Sequence, residues 1–129
     1  MNLLLDTNVI LWWFGGSTRI KKPLRAQIAD QANIVFISSV STWEIAIKAA
    51  IGKLRLPSDP KSYLAPRIVR AGLTVLPVLP DHTYEVFALP MHHVDPFDRL
   101  LIAQARINDL VLVTGDRAFD AYDVRTLSI

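Results

Sequence analysis

The sequence predicts an α/β protein with helices on both faces of a central, mostly parallel sheet of about five strands. Short runs of Leu, Ile and Val alternate along the chain with longer segments of helical periodicity. Strands that alternate with helices usually pair in parallel, which gives a three-layer α/β/α arrangement. The strand-like runs hold few polar residues, as is typical of strands buried on both faces. No composition shift divides the 129 residues, so a single domain over 1–129 is expected.

The first 52 residues predict two strands and three helices. Capping residues, a proline in a first turn and a glycine stop mark the helices, while β-branched and aromatic residues mark the second strand. The elements are a strand over 2–5, a helix capped by Thr7 or Asn8 and ending at Phe14, a helix from Pro23 to about Gln31, a strand over 34–37 and a helix ending near Gly52. Ser41-Thr42-Trp43-Glu44 has the form of a capping box, which places Glu44 in the first turn of the third helix.

The rest of the chain predicts three helices and three strands. Asp-Pro pairs open two of the helices, because proline suits a first turn and aspartate suits the cap. The elements are a helix from Asp59 and Pro60 to about Arg70, a strand over 73–78, a helix capped by Asp81 and ending before Pro90, a helix from Asp95 and Pro96 to Asn108, a strand over 110–113 and a strand over 124–127. Asp98 lies in a first turn, and Asp116 follows the fourth strand.

Composition excludes several classes of protein. There is no cysteine, which rules out disulfides, thiolate metal sites and cysteine nucleophiles. The N-terminus has neither the charged start of a signal peptide nor a membrane-length apolar run, so a cytoplasmic protein is expected. A net charge of +2 permits phosphate binding without requiring it. The three histidines, His82, His92 and His93, lack a paired ligand spacing and are expected on surface loops.

Four acids, Asp6, Glu44, Asp98 and Asp116, are the candidate functional residues. Ligands of an open parallel sheet bind beyond the carboxyl ends of the strands, where the strand order reverses. Carboxylates held together there repel one another, and a bound cation normally explains such a cluster. All-oxygen ligands favour Mg²⁺, with Mn²⁺ also suitable. A cation at this place predicts hydrolysis of a phosphodiester by metal-activated water.

Polar residues beside the acids are candidates for supporting roles. Four that are expected to hold the acids by hydrogen bonds are Thr7, Asn8, Ser39 and Thr114. Two that are candidates for RNA-phosphate contacts are Arg99 and Arg117. The aromatic residues Trp12, Trp13 and Trp43 lie in apolar helical stretches, which favours core or interface positions over base stacking.

Each acid taken alone is also explained as a helix cap or a first-turn acid, worth on the order of 1 kcal/mol. Four caps, however, have no reason to occur together as an ordered set of motifs. The segments LLLDTNVILW, SSVSTWEIAIK, HHVDPFDRLLIAQA and LVTGDRAF strongly resemble the PIN-domain toxins of VapBC systems, and the likeness covers nearly the whole chain. In this resemblance the four metal-site acids of the family fall on Asp6, Glu44, Asp98 and Asp116. Asp98 is chosen over Asp95 because it directly precedes the apolar helix.

The resemblance implies a PIN-like fold and a Mg²⁺-dependent endoribonuclease, the toxin component of a type II toxin-antitoxin system. It also implies an RNA substrate, a homodimer and a cognate VapB-type antitoxin that forms a hetero-oligomer with the toxin. Two alternatives stay open: a non-catalytic PIN-fold RNA-binding or assembly module, and a Mg²⁺-dependent phosphoryl-transfer domain. The presence of all four acids disfavours the first, and the lack of a D-x-D pattern at Asp6 disfavours the second.

Overall fold

The computed structural model describes all residues from 1 to 129. Its strands are β1 (Asn2–Leu5), β2 (Ile34–Ser38), β3 (Thr74–Leu76), β4 (Val111–Thr114) and β5 (Thr126–Ser128). Its helices are α1 (Thr7–Phe14), α2 (Lys22–Ala29), α3 (Ser39–Ala50), α4 (Pro60–Arg70), α5 (Pro80–Ala88) and α6 (Pro96–Ile107), and a 3₁₀ helix spans Arg117–Ala121. None of these helices is long and apolar enough to cross a membrane.

The five strands form one sheet in the order β3-β2-β1-β4-β5, and every neighbouring pair is parallel. The predicted fold class is therefore confirmed, with a sheet that is wholly parallel. The strand order reverses between β1 and β4, since the chain builds β2 and β3 on one side of β1 before it returns to the other. At the end of β1, Leu5 pairs with Ile37 of β2 and with Val113 of β4.

Side chains that alternate along the strands form two cores, one on each face of the sheet. Leu3 and Leu5 are fully buried with residues of α1 and α2 on one face. Leu4 is fully buried on the other face with Leu101 and Ile102 of α6. Burying a leucine side chain contributes on the order of 1.5–3 kcal/mol, so β1 is strongly held at the centre of the sheet. These packed faces form the three layers that the sequence predicts.

Three helix starts differ from the sequence-based expectations, because other residues satisfy the free N–H groups. Asp6, rather than Thr7 or Asn8, caps α1. Ser38 caps α3 by accepting from the Val40 N–H at 3.0 Å, so the predicted start at Ser41 is wrong. Glu44 consequently lies in the second turn of α3 instead of the first.

The third difference concerns α5 and the histidines. His82 Nδ1 accepts a hydrogen bond from the Leu79 N–H at 3.0 Å and so stabilises the start of α5, the role expected of Asp81. His82 is buried, where it also contacts Gln104 and Asn108. The expectation of a surface loop position is therefore wrong for His82, and it is a structural residue of the α5–α6 interface.

Candidate metal centre

The end of β1 places Asp6 at the carboxyl edge of the sheet, beside the reversal of strand order. Its backbone N–H donates to the Val113 carbonyl of β4 at 3.0 Å, which extends the pairing by one residue. Its carboxylate accepts from the Asn8 N–H at 2.9 Å and from the Thr114 hydroxyl at 2.6 Å. Burial raises the pKa of the Asp6 carboxyl, and the nearby charges of Glu44 and Asp116 act in the same direction.

The Thr114 hydroxyl joins two of the predicted acids. It donates to Asp6 and accepts from the backbone N–H of Asp116 at 3.0 Å. Asp116 in turn caps the 3₁₀ helix by accepting from the Ala118 N–H at 2.9 Å. Since a hydroxyl can donate and accept at once, this buried side chain sets the position of the Asp116 loop relative to β1.

Glu44 approaches the same edge from α3 and is buried at 4% exposure. One carboxylate oxygen accepts from the Thr7 hydroxyl at 2.7 Å, and the other lies 2.5 Å from Lys48 Nζ. The Glu44 contact raises the pKa of Lys48, with Asp95 and Asp98 adding to the attraction. The sequence did not single out Lys48, although its i,i+4 spacing from Glu44 is the signal that predicts such a pair on a helix.

Asp98, Asp116 and His93 form a second group on the open side of this edge. Each offers one ligand atom, and these atoms all lie within 4.8 Å of one another. His93 Nε2 is 2.7 Å from Asp98 Oδ2. Burial raises the pKa of the Asp98 carboxyl to about 6, and the hydrogen bond with His93 opposes this shift. No role was predicted for His93, because a histidine without a partner at ligand spacing is not a sequence signal for a metal site.

Arg99, one of the two candidate phosphate contacts, is buried at 7% exposure. Its guanidinium donates to the carbonyls of Val86, Leu89, Pro90 and His93, and to the Tyr122 hydroxyl. The prediction that Arg99 contacts an RNA phosphate is wrong, because its donors are already used to hold the segment between α5 and α6. Arg117 is exposed directly after Asp116, so it stays a candidate for that contact.

The remaining predicted residues divide between those that touch the acids and those that do not. Thr7 and Thr114 hydrogen-bond Glu44 and Asp6 through their side chains. Asn8 contacts Asp6 through its backbone N–H only. The Ser39 carbonyl accepts from Thr42, and no hydrogen bond joins Ser39 to an acid.

A cavity of about 560 Å³ lies at the opposite edge of the sheet, where Leu110 leads into β4 and Arg125 leads into β5. Four of its five charged lining residues form two pairs, with Arg106 3.5 Å from Glu85 and Arg125 2.7 Å from Asp109. Asp123 is a third acid of the lining, but the cavity has no group of three acid or histidine ligands within reach of one ion. The acid cluster at the carboxyl edge therefore remains the better candidate site.

The donor set at the carboxyl edge fits a divalent cation. Asp98 and Asp116 each present an oxygen within reach of the other. The charge of Asp116 raises the pKa of the buried Asp6 carboxyl, and the charge of Asp6 in turn raises the pKa of Asp98. Carboxylates that raise one another's pKa in this way are relieved by a bound ion. Hard oxygen ligands of this kind are typical of Mg²⁺ and Mn²⁺ sites.

The chain has the fold of the open, parallel α/β proteins, which bind their ligands at the switch point of the sheet. Its carboxylate cluster lies at that point and suits a cation. Residues 3–125 match the PIN domain, so the chain belongs to the PIN-domain family. The family match and the acid cluster together support metal dependence.

Curated relatives carry ribonuclease names. The chain is 41% identical to Ribonuclease VapC16 of Mycobacterium tuberculosis over 59 residues, a match that covers 46% of this chain and only 42% of that protein. It is 29% identical to Ribonuclease VapC22 of the same organism over 119 residues, which cover 89% of this chain and 87% of that protein.

Solved structures show the same fold. VapBC2 from Rickettsia felis, bound to a DNA fragment from its promoter, has a TM-score of 0.76 at 17% identity and covers 99% of this chain and 98% of its own. DNA-bound VapBC from Salmonella typhimurium has a TM-score of 0.70 at 20% identity, with the same coverage. At these identities the structures show the fold alone.

Proposed function

We propose that this chain is a Mg²⁺-dependent endoribonuclease and the toxin component of a type II toxin-antitoxin system. The observation that carries the proposal is the meeting of acids from distant parts of the chain at the switch point, where Thr114 joins Asp6 to Asp116 and Asp98 lies within ligand distance of Asp116. The ribonuclease names of the VapC relatives support the same activity, and the solved VapBC structures have the same fold.

Asp6, Glu44, Asp98 and Asp116 are the proposed metal-site residues. A divalent cation held by these acids supplies charge neutralisation for a phosphodiester and acidifies a water molecule. Mg²⁺ is proposed for its preference for oxygen ligands, and Mn²⁺ is a suitable replacement.

The surrounding residues are proposed to hold the acids in place, to balance their charge or to bind the RNA. Thr7 and Thr114 orient the Glu44 and Asp6 carboxylates by the hydrogen bonds described above. Lys48 balances the charge of Glu44. Arg117, which is exposed beside Asp116, is proposed to bind an RNA phosphate.

We also propose a homodimer and a VapB-type antitoxin as protein partners of this single domain over 1–129, and a cytoplasmic location, where RNA and an antitoxin would meet it. Large apolar side chains on the surface support protein partners, since exposed apolar patches mark interaction sites. Phe87 and Tyr84 of α5 are 96% and 71% exposed, and Trp43 of α3 is 57% exposed. Trp12, the other expected contact, is half-buried with Arg19 over its ring at 5.0 Å.

The test is RNA cleavage by the purified chain, separated from any antitoxin, with Mg²⁺ or with EDTA. Asp6→Asn and Glu44→Gln should each lower the cleavage rate by at least ~100-fold, because each removes a charge at the proposed centre. Two matched controls change the same residue types away from the site: exposed Asp120→Asn and the cavity residue Glu85→Gln. Equal cleavage by the site variants and the controls would contradict the proposal.

One observation favours a second candidate, a non-catalytic PIN-fold RNA-binding module. Lys48 Nζ contacts Glu44 at 2.5 Å, so an ammonium group already balances part of the negative charge that a cation would neutralise. A non-catalytic module would bind RNA without cleaving it and would bind no divalent ion. Calorimetry with Mg²⁺ and Mn²⁺ separates the two candidates, and membership of the PIN family leaves the phosphoryl-transfer domain without support.

A further inference from the structure

His93 is the one histidine whose side chain lies beside the acids at the carboxyl edge of the sheet, and the proposed function assigns it no role. It lies in the segment that joins α5 to α6, two residues before the Asp95 cap of α6. Its Nε2 atom is 2.7 Å from Asp98 Oδ2, and it shares with Asp98 and Asp116 a group of ligand atoms that lie within 4.8 Å of one another.

Buried residues hold the backbone of His93 in place. Its N–H donates to the Tyr122 hydroxyl at 2.8 Å, and its carbonyl accepts from Arg99 at 3.4 Å. Arg99 and Tyr122 are 7% and 4% exposed, so both anchors belong to the interior. The neighbouring His92 is exposed, and its ring packs edge-on against Tyr122 at 5.4 Å. Of two adjacent histidines, only His93 is directed at the acids.

The acids on the two sides of the cluster differ in how many of their carboxylate oxygens are free to bind an ion. Both oxygens of Asp6 accept from protein donors, and both oxygens of Glu44 contact Thr7 or Lys48. On the other side, Asp98 and Asp116 each engage one carboxylate oxygen in a side-chain hydrogen bond. The carboxylate oxygens that are free to bind an ion therefore lie on the side that His93 faces.

The spacing of these atoms suits one shared ion. Ligands about 2.1 Å from an octahedral cation lie about 3 Å apart when adjacent and about 4.2 Å apart when opposite. The 2.7 Å separation between His93 and Asp98, within a group no wider than 4.8 Å, needs only small side-chain movements to meet those values.

We propose that His93 supplies an imidazole nitrogen to the metal centre beside Asp98 and Asp116. This inference rests on the proposed function, which it deepens by making the centre a mixed nitrogen–oxygen site. An imidazole ligand favours transition ions over Mg²⁺, which prefers oxygen. The centre should therefore bind Mn²⁺ more tightly than Mg²⁺, and part of that preference should depend on His93.

Pulsed electron paramagnetic resonance of bound Mn²⁺ tests the proposal without measuring cleavage. The wild-type chain should show nitrogen modulation of the Mn²⁺ signal, and His93→Ala should lose it. His92→Ala is the matched control and should keep it. The Kd for Mn²⁺, measured by calorimetry, should rise about tenfold or more in His93→Ala, and the Kd for Mg²⁺ should rise less.

A second measurement covers the case in which His93→Ala does not fold. In wild-type chain labelled with ¹⁵N-histidine, the nitrogen modulation of the Mn²⁺ signal should shift to the frequency of ¹⁵N. His92→Ala labelled in the same way should show the same shift, because its His93 is intact. Bound Mn²⁺ without nitrogen modulation would overturn the role of His93 and leave the carboxylate centre standing. No bound Mn²⁺ or Mg²⁺ at all would overturn the proposed metal-dependent function as well.

Discussion

Replacing Asp98 with asparagine should stabilise the metal-free protein at neutral pH. The pKa of Asp98 is raised from 3.8 to about 6, chiefly by burial, so folding disfavours its charged form. At about 1.4 kcal/mol per pH unit, this difference lowers the free energy of unfolding by about 3 kcal/mol once the carboxyl is ionised in both states. The side chain is 16% exposed, so solvent screening reduces this figure only modestly.

The sign follows from the direction of the shift. Because the folded-state pKa is the higher one, wild type loses stability as the pH rises from about 4 to about 6, and the full loss is present above pH 6. Asp98→Asn escapes this loss but gives up the favourable interaction of a first-turn charge with the dipole of α6, worth up to about 1 kcal/mol. The net gain should be about 2 kcal/mol at pH 7.5 and close to zero or negative at pH 4.

Urea unfolding of EDTA-treated protein at several pH values between 4 and 8 measures this difference. The variant Asp120→Asn, which changes the net charge equally at an exposed position, should show no comparable rise. A stability difference between Asp98→Asn and wild type that does not grow with pH would refute the argument that burial of the Asp98 charge destabilises the metal-free protein. The same experiment with Mn²⁺ present should reverse the order, because the ion stabilises only a site that can bind it.

Three further predictions concern the residues around the acids. Thr114→Val should lower the free energy of unfolding by about 1–3 kcal/mol and weaken Mn²⁺ binding by about 10–100-fold, because it leaves Asp6 and the Asp116 N–H without their shared partner. Urea unfolding and calorimetry measure the two effects, and an unchanged Mn²⁺ affinity would argue against this role. Arg99→Met should destabilise the fold by about 3 kcal/mol or more in urea unfolding, since several buried carbonyls lose their donor; a near-native midpoint would contradict the structural role. Arg117→Ala should leave stability unchanged and lower the slope of log affinity for RNA against log salt by about one, whereas an unchanged slope would exclude a phosphate contact.

Much of the fold was predictable because local signals and global packing agree. The apolar run of β1, the Asp-Pro openings of α4 and α6, and the turn before Asp116 each place an element within a few residues of its observed bounds. The start of α3 was missed because Ser41, which is followed by Glu44 three residues later, has the pattern of a capping box, whereas Ser38 lacks it. Both serines are buried, but the Ser38 hydroxyl accepts from the Val40 N–H while the Ser41 hydroxyl lies beside Thr7, and only the tertiary structure distinguishes them.

The surroundings of the acids were less predictable, because they depend on which way a side chain faces. Arg99 follows Asp98 directly, yet successive residues of a helix point about 100° apart, so Asp98 reaches the sheet edge while Arg99 enters the interior. His93 lies beside Asp98 in a segment whose backbone is held by Arg99 and Tyr122. Contacts of this kind join separate segments and leave no periodic signal in the sequence.

The pairing of β1 with β4 also determines when during synthesis the chain can become active. Leu3 lies opposite Val111, so the two strands that flank the switch point are separated by almost the whole chain. A growing polypeptide has made Asp6 and Glu44 long before Thr114 and Asp116, and it cannot assemble the proposed centre until β4 has docked. For an enzyme that cuts RNA, this order of folding delays assembly of the proposed centre until the segment that carries β4 has been made.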